Sequence, residues 1–242
     1  MKTIFQLVCE MNEAFGNPEG DPENLDWERL SKLLPNIRAE TNELKAAIEA
    51  NDIDGIRDAL CDIRVFALGG LHAMGYMALV LSPGSNHTRD TLPYVDASPF
   101  SSVSVRPAEG LLVGLQTSIL KDMASCIEDP ALQEGLMSML LYLDRSVTYA
   151  QWECGFLHDS DMRAVIAGVM TRFCQNQQQL EATCRRYGDE GIEFTVHGEF
   201  PNVYLKSAHD QGDEYPKGKF LKSVGYSQPV FAPIGGGNGT AV

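Results

Sequence analysis

Apolar residues recur at helical spacing along most of the chain. Residues 3–15 carry apolar side chains spaced by three, one and three positions, which are Ile4, Leu7, Val8 and Met11. This spacing places them on one face of a helix. Residues 16–22 are rich in Gly, Asn and Pro and are predicted to form a loop, and a second short helix is expected near Trp27–Leu34.

Two longer helices are predicted next, joined by a tight connection. Residues 35–50 read as a helix with Pro35 in its first turn, where proline is tolerated. The following helix is predicted over residues 55–74, with Asp54 as its N-cap and Gly75 as its C-terminal stop.

The pattern of apolar and polar residues changes several times after residue 81. Residues 82–108 are rich in Ser and Pro and are predicted to be a linker or long loop. Helical patterning returns at about 110–126, 130–154 and 159–187. After Gly188 the pattern alternates, which predicts a β-hairpin of Ile192–Val196 and Asn202–Leu205 around Gly198, followed by a flexible tail from Gln228.

The pattern therefore predicts an all-α fold, a bundle of helical hairpins with a small C-terminal β-hairpin and a flexible tail. We divide the chain into N-terminal helices, a linker, a second helical region, and the β-hairpin with the tail. The corresponding ranges are 1–81, 82–108, 109–188 and 189–242.

Composition limits the partners and the compartment. The formal net charge of −14 makes duplex nucleic acid an unexpected partner, because an acidic surface repels phosphates. The six cysteines form no C-x-x-C pair and are interpreted as free buried thiols, which indicates a reducing cytoplasm. No run approaches the ~18 apolar residues of a membrane span, and the apolar N-terminus lacks the features of a signal peptide.

Two pairs of acidic residues lie on neighbouring predicted helices. Glu40 and Glu43 are three positions apart, and Asp58 and Asp62 are four apart, so each pair shares a face of its own helix. If the helices pack antiparallel about Asn51, position i lies opposite roughly position 102 − i. Glu40 is then level with Asp62, and Glu43 is level with Asp58.

Four converging carboxylates repel one another unless a cation offsets their charge. Mg²⁺ is the expected cation, or Mn²⁺ in its place, because hard divalent ions prefer oxygen ligands and suit phosphoryl chemistry. The alternative is a solvated helix face, where acids at this spacing are common. Asp58 and Asp62 flank the apolar run Ala59-Leu60-Cys61, which favours the metal site.

These residues resemble a known family. The segments Glu40-Thr-Asn-Glu43, Asp58-Ala-Leu-Cys-Asp62 and Gly69–Gly75 resemble the all-α NTP pyrophosphatases, which include MazG, the dimeric dUTPases and the dCTP pyrophosphatases. The likeness is greatest to the phage-encoded MazG-like branch and extends to three further segments. Those segments are Met11–Pro18, Gly168–Phe173 and Tyr215–Lys222.

The resemblance implies that Glu40, Glu43, Asp58 and Asp62 hold Mg²⁺ and are catalytic. The family motif is E-x-x-E, a spacer and E-x-x-D. Here Ala59 stands where the family usually has Glu, and Asp58 precedes it by one position. This displaced acid leaves the number of bound metal ions open.

The resemblance also implies that the substrate base is read near the first helix and the following loop. The candidate residues there are Asn12, Phe15, Asn17 and Trp27, and the phosphate-binding candidates are Lys45, Arg172 and Lys219. For Phe15 and Trp27 the alternative is a place in the core, and for Asn17 it is turn chemistry before Pro18. For each basic residue the alternative is a solvated surface charge.

Residues 113–156 show a weak internal likeness to the acidic hairpin. Leu44–Glu49 overlies Met123–Glu128 with a shift of 79, and one inserted residue brings Gly75-Tyr76 onto Gly155-Phe156. The apolar pattern is shared, whereas of the acids only Glu43 meets another acid, Asp122. We interpret the segment as a degenerate second hairpin that closes the core, with coincidence among helical patterns as the alternative.

The expected activity is hydrolysis of a nucleoside triphosphate to the monophosphate and pyrophosphate, in control of the nucleotide pool. We further expect a homo-oligomer, a dimer or tetramer, in the cytoplasm, which is the host cytoplasm if a phage encodes the protein. One alternative is a catalytically inactive helical protein that sequesters a nucleotide. Another is an interaction protein that uses its acidic surface.

Overall fold

The structure of the chain is a computed structural model. The structure describes residues 2–76, 103–212 and 214–234. The chain forms two compact units, each assembled from separate segments. The first unit comprises Met1–Cys9, Pro18–Arg163 and Phe231–Val242, and the second comprises Glu10–Asn17 and Ala164–Val230. The four ranges predicted from the sequence were consecutive, whereas each unit here collects distant parts of the chain.

The described chain is mostly helical, with one small antiparallel hairpin near its C-terminus. The helices are α1 Ile4–Ala14, α2 Trp27–Ser31, α3 Leu33–Ala50, α4 Ile53–Ala73, α5 Arg106–Gly114, α6 Leu120–Glu128, α7 Gln133–Glu153, α8 His158–Met170 and α9 Gln177–Asp189. A π-helical segment, Leu115–Ile119, joins α5 to α6, and a 3₁₀ turn, Pro130–Leu132, precedes α7. The strands are β1 Phe194–His197 and β2 Tyr204–Ser207.

Helices α3 and α4 form the antiparallel pair that the sequence predicts. Asn51 ends α3 in the left-handed conformation, at φ 53°, and Asp52 begins α4 as its N-cap by accepting a hydrogen bond of 3.0 Å from the Gly55 amide. The prediction of Asp54 as N-cap was wrong, because the helix starts two residues earlier than expected. Asp54 instead forms an ion pair with Arg57 at 3.2 Å.

The register of this pair agrees with the predicted one. A Cβ placed on Gly55 would lie 3.2 Å from the Cβ of Ala47, and one placed on Gly70 would lie 2.8 Å from Leu33 Cδ1. Helix α4 packs against α3 on one side and against α7 on another, and Gly75, two residues after its last residue Ala73, has a φ of 70°. A glycine is required there, because that φ and the nearby Gly20 carbonyl leave no room for a Cβ.

A second helical pair occupies residues 106–153. The helix predicted to start at about 110 begins at Arg106, so the last residues of the predicted linker are helical. Most of that linker, residues 82–102, lies outside the described residues. Helix α7 has the same length as α4, 21 residues, and is likewise followed by a glycine of positive φ, Gly155 at 86°. These features favour the degenerate hairpin, which stays a prediction.

The single helix predicted over residues 159–187 was wrong, because two helices occupy this range. Helix α8 ends at Met170, and α9 begins after Asn176. The Asn176 side chain caps α9 by accepting a hydrogen bond of 3.0 Å from the backbone N–H of Gln179. Between them, Cys174 pairs with Val203 as an isolated β-bridge. The backbone of this connection is therefore hydrogen-bonded outside any helix.

The second unit contains the β-hairpin. Strands β1 and β2 pair antiparallel from Phe194 with Ser207 to His197 with Tyr204, and Gly198 takes the positive φ expected after β1. One face of β2 is buried with residues of α9 in a small core. That core consists of Cys174, Tyr187, Val203, Leu205 and Leu221.

The cysteine prediction is confirmed as far as pairing is concerned. All six cysteines lie among the described residues and are free thiols, three of them buried and three half-buried. None of the helices in the described ranges has the length and hydropathy that crossing a bilayer requires. The predicted flexible tail from Gln228 is described only to residue 234, and part of it contacts Arg57 as shown below.

Candidate active site

The four acids lie at the edges of the α3–α4 pair rather than deep inside it. The buried stripe of α3 is Leu33, Ile37, Thr41 and Leu44. Glu40, next to that stripe, is half-buried, whereas Glu43 is exposed. Most of α4 is buried, and Asp58 and Asp62 belong to its half-buried stripe.

The observed register places Glu40 level with Asp62 and Glu43 level with Asp58. In residues 2–76, 103–212 and 214–234, no group of three or more His, Cys, Asp or Glu side chains could hold a metal ion. Mg²⁺ is usually bound through one or two carboxylates, waters and substrate phosphates, so a preformed cage of acids is not required for it.

Sequence reasoning missed two buried arginines of α4. Arg57 forms a bidentate ion pair with Asp161, with Nε to Oδ2 at 2.9 Å and Nη2 to Oδ1 at 2.6 Å. The Asp161 side chain is 0% exposed and that of Arg57 is 3% exposed. Arg57 also donates to the Ala232 carbonyl at 2.9 Å and lies over the Phe231 ring at 4.5 Å, so it holds the C-terminal segment.

Arg64, two turns further along α4, makes the second buried network. Its Nε bonds Asp144 on α7 at 2.9 Å, and its Nη1 donates to the Gln151 side chain at 3.2 Å. Gln151 in turn donates to the Cys61 sulfur at 3.2 Å. Burial raises the pKa of the Cys61 thiol, so this cysteine stays protonated and is no nucleophile at neutral pH.

A signal for both arginines was present in the sequence. They lie seven positions apart, which is two turns of one helix face, inside an apolar run. An arginine in such a run requires a carboxylate partner, since burying a charge costs free energy unless the charge is paired. The arginines attach α4 to Asp161 and Asp144 through these ion pairs.

Several substrate-binding candidates gather in the second unit. Three segments that carry the family resemblance meet there, because the Phe15 ring stacks on Phe173 at 4.3 Å and contacts Phe220 edge-on at 4.4 Å. The Tyr204 hydroxyl donates to the Phe15 carbonyl at 2.8 Å. Phe15 is 4% exposed, which matches the alternative of a core residue rather than an accessible base-stacking ring.

The polar candidates of the second unit lie around this cluster. Asn12 and Asn17 are half-buried. The backbone N–H of Asn17 donates to the backbone carbonyl of Asn12 at 2.9 Å, which shapes the turn before Pro18. Arg172 is half-buried and donates to the Phe220 carbonyl at 3.0 Å. Lys219 is exposed.

The remaining two candidates belong to the first unit. Trp27 begins α2 and is half-buried. Lys45 is exposed on α3 and lies 3.8 Å from Glu49, one turn along the same helix. The contribution of these two residues to substrate binding stays a prediction.

Comparison with known proteins adds no identification: no protein-family model, no curated protein and no solved structure matches the chain.

Proposed function

We propose that the chain is a Mg²⁺-dependent nucleoside triphosphate pyrophosphohydrolase with a helical bundle of the all-α NTP pyrophosphatase type. The supporting observation is the register of α3 against α4, in which Gly55 lies beside Ala47 and Gly70 beside Leu33. That register puts the acids of the E-x-x-E motif level with those of α4. The sequence resemblance and the half-burial of Glu40, Asp58 and Asp62 support the same proposal.

The acids are proposed to hold Mg²⁺, or Mn²⁺ in its place, through Glu40, Glu43, Asp58 and Asp62. When bound, the ion neutralises the triphosphate charge that an acidic protein would otherwise repel. Water then attacks the α-phosphorus, and the bond from that phosphorus to the oxygen bridging to the β-phosphate breaks. The electron pair leaves with pyrophosphate, and a carboxylate of the site accepts the proton of the water.

The rest of α3 and α4 positions these acids. Thr41, between Glu40 and Glu43 in the sequence, is buried and donates to the Ile37 carbonyl at 2.7 Å, so its hydroxyl proton is satisfied within α3. Arg57 and Arg64 fix α4 through Asp161 and Asp144. Lys45, one turn from Thr41 on an exposed face, is the proposed phosphate contact of the first unit.

The activity is tested with each common NTP and dNTP in the presence of Mg²⁺, by measuring release of pyrophosphate and nucleoside monophosphate. Glu43→Gln and Asp62→Asn are each expected to lower kcat/KM by roughly 10²-fold or more, because each removes a charged oxygen ligand. Circular dichroism should show unchanged helical content in both variants.

Glu109→Gln is the matched control, since Glu109 is an exposed glutamate of α5 and lies outside the motif. It should retain full turnover. Full activity in Glu43→Gln or Asp62→Asn would contradict the site assignment. Tight nucleotide binding without pyrophosphate release, by contrast, would favour the sequestering alternative over the enzyme.

A further inference from the structure

A cavity of about 280 Å³ lies in the second unit beside the C-terminal half of α9. It is separate from the acids of the proposed hydrolytic site, and of the substrate-binding candidates above, Arg172 adjoins it, with Cζ 5.6 Å from the centre of the Tyr226 ring. Its side chains combine cations with tyrosine rings. The residues that matter for its chemistry are Arg186, Tyr187, Glu190, Tyr215, Lys222 and Tyr226.

The cationic wall of this cavity is rigidly built. Arg186 lies over the Tyr187 ring at 4.4 Å, and its guanidinium donates to the Lys222 carbonyl. The Tyr187 hydroxyl donates to the same carbonyl at 3.0 Å, and Tyr187 is only 4% exposed. The Lys222 backbone is thereby fixed against α9, while its exposed side chain lies with Nζ 4.6 Å from the centre of the Tyr226 ring.

The cavity brings two cations, Arg186 and Lys222, together with tyrosine rings. Arginine and lysine bind phosphate through charge-assisted hydrogen bonds, and tyrosine rings stack on nucleobases. The Glu190 carboxylate, at the end of α9, offers an acceptor for a sugar hydroxyl or a base amino group. The volume is at the small end for ligand sites, which suits one nucleotide unit.

We propose that this cavity binds a nucleoside monophosphate, with the phosphate on Arg186 and Lys222 and the base against Tyr226. The binding requires no divalent ion and does not involve the acids of α3 and α4. If the proposed hydrolysis is also correct, the ligand belongs to the same chemical class as the nucleoside monophosphate that the hydrolysis releases. The fraction of cavities occupied would then rise with the concentration of that product.

The test is equilibrium binding to the full chain in EDTA, by calorimetry. The probes are the common nucleoside monophosphates, the uncharged nucleosides, inorganic phosphate and O-phosphotyrosine. A monophosphate should bind more tightly than its nucleoside or phosphate alone. Lys222→Gln should weaken this binding about tenfold or more, through loss of a charged hydrogen bond, and Tyr226→Leu about fivefold or more, through loss of stacking.

Lys217→Gln is the matched control, because Lys217 is an exposed cation of the same segment that does not line the cavity. It should bind as the parent chain does. Equal weakening in Lys217→Gln, or binding of O-phosphotyrosine or free phosphate as tight as that of every monophosphate, would overturn the proposal.

A further variant separates this proposal from the hydrolytic one. Glu43→Gln with Asp62→Asn should still bind the monophosphate in EDTA even though turnover is lost. If that variant loses binding, the ligand sits at the acidic hairpin and the cavity assignment fails. If the parent chain binds the monophosphate but hydrolyses no triphosphate, the hydrolytic proposal fails and the cavity stands.

Discussion

Arg57 and Asp161 form an ion pair from which water is excluded on all sides, and this sets the consequence of breaking it. Removing one partner leaves the other charge buried without compensation, which costs about 3–5 kcal/mol. We therefore expect Asp161→Asn to lower the free energy of unfolding by an amount of that order, measured by urea denaturation. Replacing both residues by leucine should recover part of the loss, since an apolar pair leaves no buried charge.

Asp54→Asn is the control for this prediction, because Asp54 is the exposed partner of the same arginine, with 74% of its side chain accessible. An exposed pair contributes at most about 1 kcal/mol. Equal losses in Asp54→Asn and Asp161→Asn would show that the buried geometry does not set the stability. Ala232 and Phe231, which also contact Arg57, would then carry more of the stabilisation than expected.

His197 gives a pH-dependent prediction. Partial burial and the nearby positive charge of Lys206 lower the pKa of His197 below its usual 6.5. The folded state then favours the neutral ring, so the stabilisation from this residue is present above pH 6.5 and is lost as the pH falls through the lowered pKa. An NMR titration of the ring protons should give a midpoint below 6.5, and Lys206→Gln should raise that midpoint.

At the residue scale, the sequence marks four acids as a candidate site, which stays a prediction, but it does not reveal the partners of the two buried arginines. Glu40, Glu43, Asp58 and Asp62 stand out because their spacing repeats a motif and follows a helical face. Arg57 pairs with Asp161, which is 104 positions away, and Arg64 pairs with Asp144, which is 80 positions away. No local pattern connects residues so far apart in the chain, and only the packing of α7 and α8 brings them together.

Among the helices, the contact of α4 with α3 and α7 depends on a glycine. A Cβ on Gly70 would lie 2.8 Å from Leu33 Cδ1 and 2.9 Å from Leu140 Cδ1. Gly70→Ala should therefore destabilise the protein by about 1–3 kcal/mol through overpacking, less the gain in helix propensity of about 1 kcal/mol. Gly110→Ala in α5, where nothing lies within 4 Å, should stabilise by about 0.5–1 kcal/mol. Urea denaturation of both variants measures the contrast, and stabilisation by Gly70→Ala would contradict the packing.

Helices with a clear apolar stripe were predicted well, and their ends less so. The α3–α4 register followed from the turn at Asn51, because a short connection fixes which levels face each other. The break between α8 and α9 was missed because its signal is tertiary. Cys174 forms a bridge to Val203 on a distant segment, and that pairing outweighs the helical pattern on either side.

At the scale of the whole molecule, the sequence likeness between the acidic hairpin and residues 113–156 is accompanied by matching positions of two helices. Helices α4 and α7 begin 80 positions apart, at Ile53 and Gln133, and end 80 apart, at Ala73 and Glu153. Arg64 bonds Asp144, its equivalent at the same shift. Two repeats packed about a local two-fold axis would bring equivalent positions together in this way, so the contact favours the repeat. The sequence could not predict that each unit collects distant segments, because their association depends on long-range contacts.

The charge of the whole chain bears on the last prediction, which concerns Mg²⁺. A chain of net charge −14 gains stability from any added salt through screening, so the effect of Mg²⁺ has to be compared with NaCl at matched ionic strength. A ligand specific for the folded state, at 100 times its dissociation constant, adds about 2.7 kcal/mol. For a chain of this size that gain corresponds to a rise in melting temperature of roughly 5–10 °C.

Glu43→Gln with Asp62→Asn should abolish the excess over NaCl. The excess is compared within each variant, Mg²⁺ against NaCl, so a change in the variant's own melting temperature in EDTA does not enter the comparison. A Mg²⁺ shift that persists in this variant would place the ion elsewhere on the acidic surface.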